Sequence, residues 1–146
     1  MRLENTSASA RTMAEPPEIP GADQVVQWFG YWPSFHDAEV LSIKLDRPGT
    51  SYVQIHTWEK TSEVDASGYY VRTKHAVVTF LFEGFLMDRE GISRMRIEWF
   101  NNQNVLTSLR VVRVPDGYSL SLDSIFGVDA CIDCERISVR LEPGMP

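Results

Sequence analysis

Cysteine, histidine and cationic side chains are all scarce in this chain, and each shortage excludes a class of protein. Two cysteines, Cys131 and Cys134, allow at most one bridge, so this is not a small disulfide-stapled scaffold. The three histidines, His36, His56 and His75, lie in separate segments, without the close paired spacing of a zinc motif. Lysine and arginine number 14 against 20 acidic residues, a net charge of −6. Such a surface repels nucleic-acid phosphates and anionic lipid, because binding either depends on cations displacing counterions. No apolar run approaches the ~20 residues of a membrane span. No G-x-S-x-G, phosphate-binding glycine loop or dinucleotide fingerprint occurs. Nucleic acid, membrane, cofactor and metal are therefore all unexpected. The opening segment MRLENTSASARTMAEPPEIPG lacks the apolar core of a secretory signal, and with so little cysteine the expected compartment is the reducing cytoplasm.

What is present suits one core. The chain has 146 residues, 43% hydrophobic and 23% charged, with four Trp, five Tyr and seven Phe, enough for a single domain without staples. Residues 1–20 show no apolar period and read as a tail, draped or loose. Residues 21–143 form the domain, and 144–146 a C-terminal tail. In GADQVVQWFGYWP, Val25, Trp28, Phe29 and Trp32 fall on one helical face, with Asp23 as a candidate cap, Gly30 as the stop and Pro33 forbidding continuation. EVLSIKLD (39–46) alternates, placing Leu41, Ile43 and Leu45 on one face. YVQIHTW (52–58) sets Val53, Ile55 and Thr57 against Tyr52, Gln54, His56 and Trp58, the latter expected on the wetter side. The polar stretch 59–69 reads as a loop. HAVVTFLFEGF (75–85) is apolar enough for the centre of a sheet. RMRIEWF (94–100), with Met95, Ile97 and Trp99 on its apolar face, and VLTSLRVVRV (105–114) look like a hairpin closed by NNQN. PDG (115–117) turns into YSLSLDS, and CERISVRLEP ends the domain. The expected fold is α+β: a curled, mainly antiparallel sheet of six to seven strands, with one short N-terminal helix packed on it.

Candidate chemistry is sparse. In WPSFHDAEV, His36 stands beside Asp37. A carboxylate next to an imidazole can serve acid/base or metal chemistry, or can brace the bend between Pro33 and the first strand. A metal would need His56 and His75 brought in from elsewhere. Cys131 and Cys134 form a C-x-x-C leading into a strand rather than a helix, which puts the thiols on opposite faces and argues against redox use. Glu59, Glu63 and Asp65, with Trp58, Tyr69 and Tyr70 as aromatic neighbours, lack the fixed opposition of an acid/base pair. They do suit a protein contact, where aromatics flanked by charge act as anchors. The four amides 101–104 either close a turn or lock two loops together.

Several blocks taken together resemble a known family: FGYWPSFHDAEVLSI, WEKTSEVDASGYYVRTKH, WFNNQNVLTSLRV and the final FGV…C…ISVRLEP. Over roughly residues 27–143 the chain is similar to the Immunity protein 50 family of polymorphic toxin systems, most specifically in WPSFHDAEV and FNNQNVL. The resemblance implies a cytosolic bacterial protein that binds and neutralises a cognate protein toxin without catalysis. It supplies no catalytic residues to carry over. Trp32, Pro33, His36, Asp37 and Glu39 mark it, as a structural corner or as contacts. The competing expectation is a small hydrolase or metal-binding enzyme built on His36 and Asp37. A third is a homo-oligomeric module using sheet edges, and the residues leave monomer and homodimer both open.

Overall fold

A computed structural model describes residues 15–86 and 90–146. Among them, one helix, α1 (Ala22–Phe29), precedes seven strands: β1 (Glu39–Lys44), β2 (Ser51–Val64), β3 (Tyr70–Phe85), β4 (Ile92–Ile97), β5 (Ser108–Val114), β6 (Gly117–Asp123) and β7 (Val128–Pro143). No helix is long and apolar enough to cross a membrane among the described residues. All pairings are antiparallel and run in the order β1-β2-β3-β7-β6-β5, with β4 also on β7. The last strand therefore lies in the middle of the sheet. Its C-terminal half pairs with β3 and its N-terminal half with β4, along the same edge.

The α+β class and the antiparallel sheet are as the residue pattern indicates, and the strand neighbours differ from it. RMRIEWF and VLTSLRVVRV do not form a hairpin: β4 pairs with β7, and β5 pairs with β6. Asn104 explains the difference, because its side chain is buried and cannot serve a solvent-facing turn. Its amide donates to the Glu98 carbonyl at 3.1 Å and accepts the Val128 N–H at 2.8 Å, so this last amide of the four locks two loops together while the other three face solvent. Gly127, at φ 129, leaves room for that amide, since a Cβ there would strike the Asn104 side chain.

In β1 a bulge between Val40 and Ser42 shifts the alternation. Val40, not Leu41, turns to the core, and Leu45 is exposed; an inserted residue reverses which side chains face inward. The α1 helix starts at Gly21, with no side-chain cap, so Asp23 contributes only its charge near the helix N-terminus. Gly21, at φ 91, passes so close to the Val139 carbonyl that a Cβ would collide with it, which explains glycine at that docking point. Gly30, at φ 88, ends the helix.

Of the expected tail, residues 1–14 lie outside the described residues. Residues 15–20 dock on the domain: Ile19 is buried, and Pro20 accepts the Val139 N–H at 2.9 Å. One core joins Val25, Phe29, Trp32 and Phe35 to Val53, Ile55, Phe80, Phe82, Leu106, Leu120, Ile132 and Val139. Trp32, Phe35 and Phe80 meet edge to face, with centroids 5.6–6.3 Å apart, an arrangement that adds to the energy of simple burial.

Candidate functional site

The WPSFHDAEV corner takes its shape from the backbone. Phe35 and Asp37 both adopt left-handed angles, φ 61 and 72. Phe35 turns inward and is fully buried, while His36 and Asp37 face out. The Asp37 N–H donates to the Leu106 carbonyl, and the Leu106 N–H donates to Ala38. These bonds and the isolated bridge Glu39–Val105 tie the corner to the segment entering β5. His36 Nδ1 lies 3.2 Å from Asp37 Oδ1, with side chains 63% and 44% exposed. The pair faces solvent, and no cavity encloses it among the described residues.

The sheet makes a second histidine site that adjacency in the chain does not reveal. His56, on β2, and His75, on β3, are cross-strand neighbours with Nε2 and Nδ1 3.0 Å apart and rings stacked at 5.2 Å. Expected on the wet side, His56 is only 6% exposed; Trp58, with its ring centroid 4.9 Å away, packs beside it. Glu39 Oε1 lies 3.9 Å from His56 Nδ1. A proton on that nitrogen faces the carboxylate and leaves Nε2 to accept from His75 Nδ1–H. Burial, then the neighbouring His75, holds His56 below the ordinary histidine range, against the opposing pull of Glu39. His36 is not part of this group. No cluster of three or more metal-ligating side chains occurs among the described residues.

That histidine pair marks the root of an arm. β1 accompanies β2 only as far as His56, and β7 accompanies β3 only as far as Ala76. Beyond those points β2 and β3 continue alone, pairing from Glu59–Thr73 to Val64–Tyr70. The expected loop 59–69 is thus mostly strand, and only 65–69 turns. Polar composition suggested a loop because a ribbon wet on both faces has no apolar alternation to announce it. Bulges interrupt the arm's ladder, and Lys74 at φ 53 bends its base. The Trp28 indole donates to the Lys74 carbonyl at 3.1 Å, and Gly144 N–H donates to the His75 carbonyl at 2.7 Å.

The residues expected to form one acidic patch divide over this arm. Trp58 stacks under Arg72, whose guanidinium carbon lies 4.5 Å from the ring centroid. Glu59 receives the Tyr31 hydroxyl at 3.3 Å and lies 3.9 Å from the Lys74 ammonium; burial, then Glu59, raises the Tyr31 pKa. Asp65 closes the tip by accepting the N–H groups of Ser67 and Tyr69 at 2.9 and 3.0 Å. Glu63 is exposed. The three carboxylates are matched on the same ribbon by Lys60, Arg72 and Lys74, so the arm is neutral. At its end Tyr69 and Tyr70 are 72% and 57% exposed. With Lys60, Asp65, Val71 and Arg72 they line an open concavity of about 600 Å³.

Cys131 and Cys134 both lie inside β7, the first half-buried and the second fully buried. Burial, then the charge of Asp133, pushes the Cys134 thiol up to about 12. Burial also raises Cys131, but hydrogen bonds from Ser119, Ser93 and Ser121 outweigh it and leave the thiol lowered. The two sulfurs point to opposite faces, as the spacing requires of a regular strand.

Sequence reasoning missed a further surface. Ile97, Trp99, Phe100, Ile125 and Phe126 are all exposed, on the end of β4 and on two neighbouring loops. Trp99 was expected on an apolar strand face; β4 ends at Ile97, and Trp99 leaves it at φ 55. The clue was the density of large apolar residues in IEWF and SIFG, which periodicity alone assigns to a core. Comparison with known proteins leaves the geometry to stand by itself: no family model, no curated protein and no solved structure matches the chain.

Proposed function

We propose that this chain is a non-catalytic immunity protein of the cytoplasm, which binds a cognate protein toxin from a polymorphic toxin system and neutralises it by covering its active site. The arm beyond His56 and Ala76 is the contact element. The observation that carries the reading is this two-stranded ribbon, free of other strands and ending in exposed Tyr69 and Tyr70. A two-stranded ribbon alone is marginally stable in water. This one is braced by the Trp58–Arg72 stack, by Lys60 over the Tyr70 ring at 5.6 Å and by the Thr61 hydroxyl on the Val71 carbonyl at 2.9 Å. Rigid aromatic anchors on a braced support are what low-cost protein recognition uses. The sheet behind it is curled, a reading supported by the Glu39–Val105 bridge and by the Leu109 N–H on the Ser34 carbonyl at 3.1 Å.

Because the arm is neutral, any electrostatic steering comes from the net charge of −6, and the association rate with a basic toxin falls as salt is added. The test is titration calorimetry against the toxin encoded beside this gene. Wild-type chain should bind one to one and abolish the toxin's activity. Tyr69→Ala with Tyr70→Ala should weaken binding at least tenfold while the melting curve stays in place. Unchanged affinity in that double variant removes the arm from the interface, and turnover of a substrate by the chain itself, lost in His36→Ala, replaces the proposal with the hydrolase reading.

A further inference from the structure

We propose that the end of the molecule carrying Ile97, Trp99, Phe100, Ile125 and Phe126 is a self-association surface, on which a second copy of this chain docks. The five side chains are between 43% and 71% exposed. The two segments that carry them are joined: Ile97 pairs with Val128, and the Glu98 N–H donates to Gly127 at 3.1 Å. The loops are held from beneath. The buried Asn104 amide joins Glu98 to Val128, and the Ser124 hydroxyl lies 2.8 Å from the Val105 carbonyl and 2.7 Å from that of Phe126. Trp99 is kept at φ 55, a conformation that a bulky residue adopts only under constraint. A strained tryptophan aimed at water, on loops fixed by a buried amide, is a preformed apolar platform rather than a loose end.

Area and charge identify the occupant. Three aromatic side chains and two isoleucines, each about half to two-thirds exposed, present on the order of 600 Å² of apolar surface, since an aromatic buries roughly 150–250 Å². That is at the upper limit of what a lone monomer leaves bare and close to the ~800 Å² each partner contributes to a stable pair. The charges beside the platform are matched within the chain. Arg96 faces Glu98 at 3.4 Å and Asp129 at 4.0 Å, while Arg94 bonds Asp129 and reaches Asp123 at 3.4 Å. Among the described residues, these charges balance and give no net sign to select an oppositely charged partner. Two chains of net charge −6 repel each other wherever their charged faces meet, and at this charge-matched end they approach without that cost. A two-fold pair across it buries the same patch on both copies. The arm pairs off near Pro143 and the platform near Val128, at opposite ends of the 16-residue β7, about 50 Å of strand. Both arms of a pair therefore remain open, and this inference stands whether or not the arm binds a toxin.

Light scattering over a micromolar concentration series tests it. The wild-type chain should weigh twice the single-chain mass. Trp99→Asp with Phe126→Asp should weigh one, with an unchanged circular dichroism spectrum and a dimer dissociation constant raised at least a hundredfold. Ile125→Lys, on an open loop, should give a smaller shift the same way if the double variant folds poorly. A wild-type chain that stays single at every concentration overturns the proposal. So does a dimer that survives both sets of substitutions, and so does a monomer whose binding to a different protein is what these substitutions abolish.

Discussion

Two histidine–carboxylate sites lie on opposite sides of the fold's logic. His36 and Asp37 are adjacent in the chain, 3.2 Å apart and largely in water. His56 is 19 residues from His75 and 17 from Glu39, yet strand register gathers all three, with His56 buried. Adjacency produces the contact that looks like a site, and burial produces the one whose chemistry is altered. A solvent-facing contact contributes little because water competes for both groups, whereas a buried imidazole must satisfy its nitrogens from its neighbours. The comparison also separates the two roles inside the corner itself: there the inward Phe35 carries the packing, and the outward pair merely follows the turn.

The largest effect that would sharpen this contrast is at Phe35. Phe35→Ala removes an aromatic from contact with Trp32 and Phe80 and should cost about 3–5 kcal/mol in urea unfolding. Next comes His56→Ala, which strands the His75 ring nitrogen and opens a small void, with an expected loss of about 1–3 kcal/mol.

Then comes acid sensitivity. His56 is lowered in the folded state, so the folded chain binds fewer protons than the unfolded chain over the interval between the two values. The sign follows: the contribution is fully present above the unfolded value of about 6.5 and is lost as pH falls through the folded one. Wild-type stability should therefore fall between neutral pH and pH 5 more steeply than that of His56→Phe. Parallel slopes in denaturant melts would break the assignment.

The smallest effect belongs to the exposed pair. His36→Ala should move stability by no more than about 0.5 kcal/mol, and Asp37→Gly no more, because glycine adopts φ 72 freely. A loss above about 1 kcal/mol in His36→Ala would mean that the outward pair is structural after all.

Much of the fold was legible in the residues. Val53, Ile55 and Thr57 alternate inward as their period says, Gly30 stops the helix, and Pro115–Asp116 turns β5 into β6, with Asp116 at φ 70. Three features were not legible, each for a physical reason. The bulge at Leu41 flips a face without changing composition. The arm's polar strands look like a loop because neither face is covered. The insertion of β7 between β3 and β6 is a long-range pairing that local periodicity does not encode. At the candidate site, Trp58, Glu59, Glu63, Asp65, Tyr69 and Tyr70 were found as a group, but their division over the ribbon and the cations that neutralise them came only with the register.

The chain's own order of residues settled the antiparallel α+β class, the helix stop at Gly30, the opposed thiols and the net acidity, because these depend on side-chain period, glycine and proline geometry, and simple counts. Tertiary structure alone decided which histidines meet, which amide is buried and which aromatics remain in water. Those outcomes depend on strand register and on what covers each face, and both are set by contacts between residues far apart in the chain.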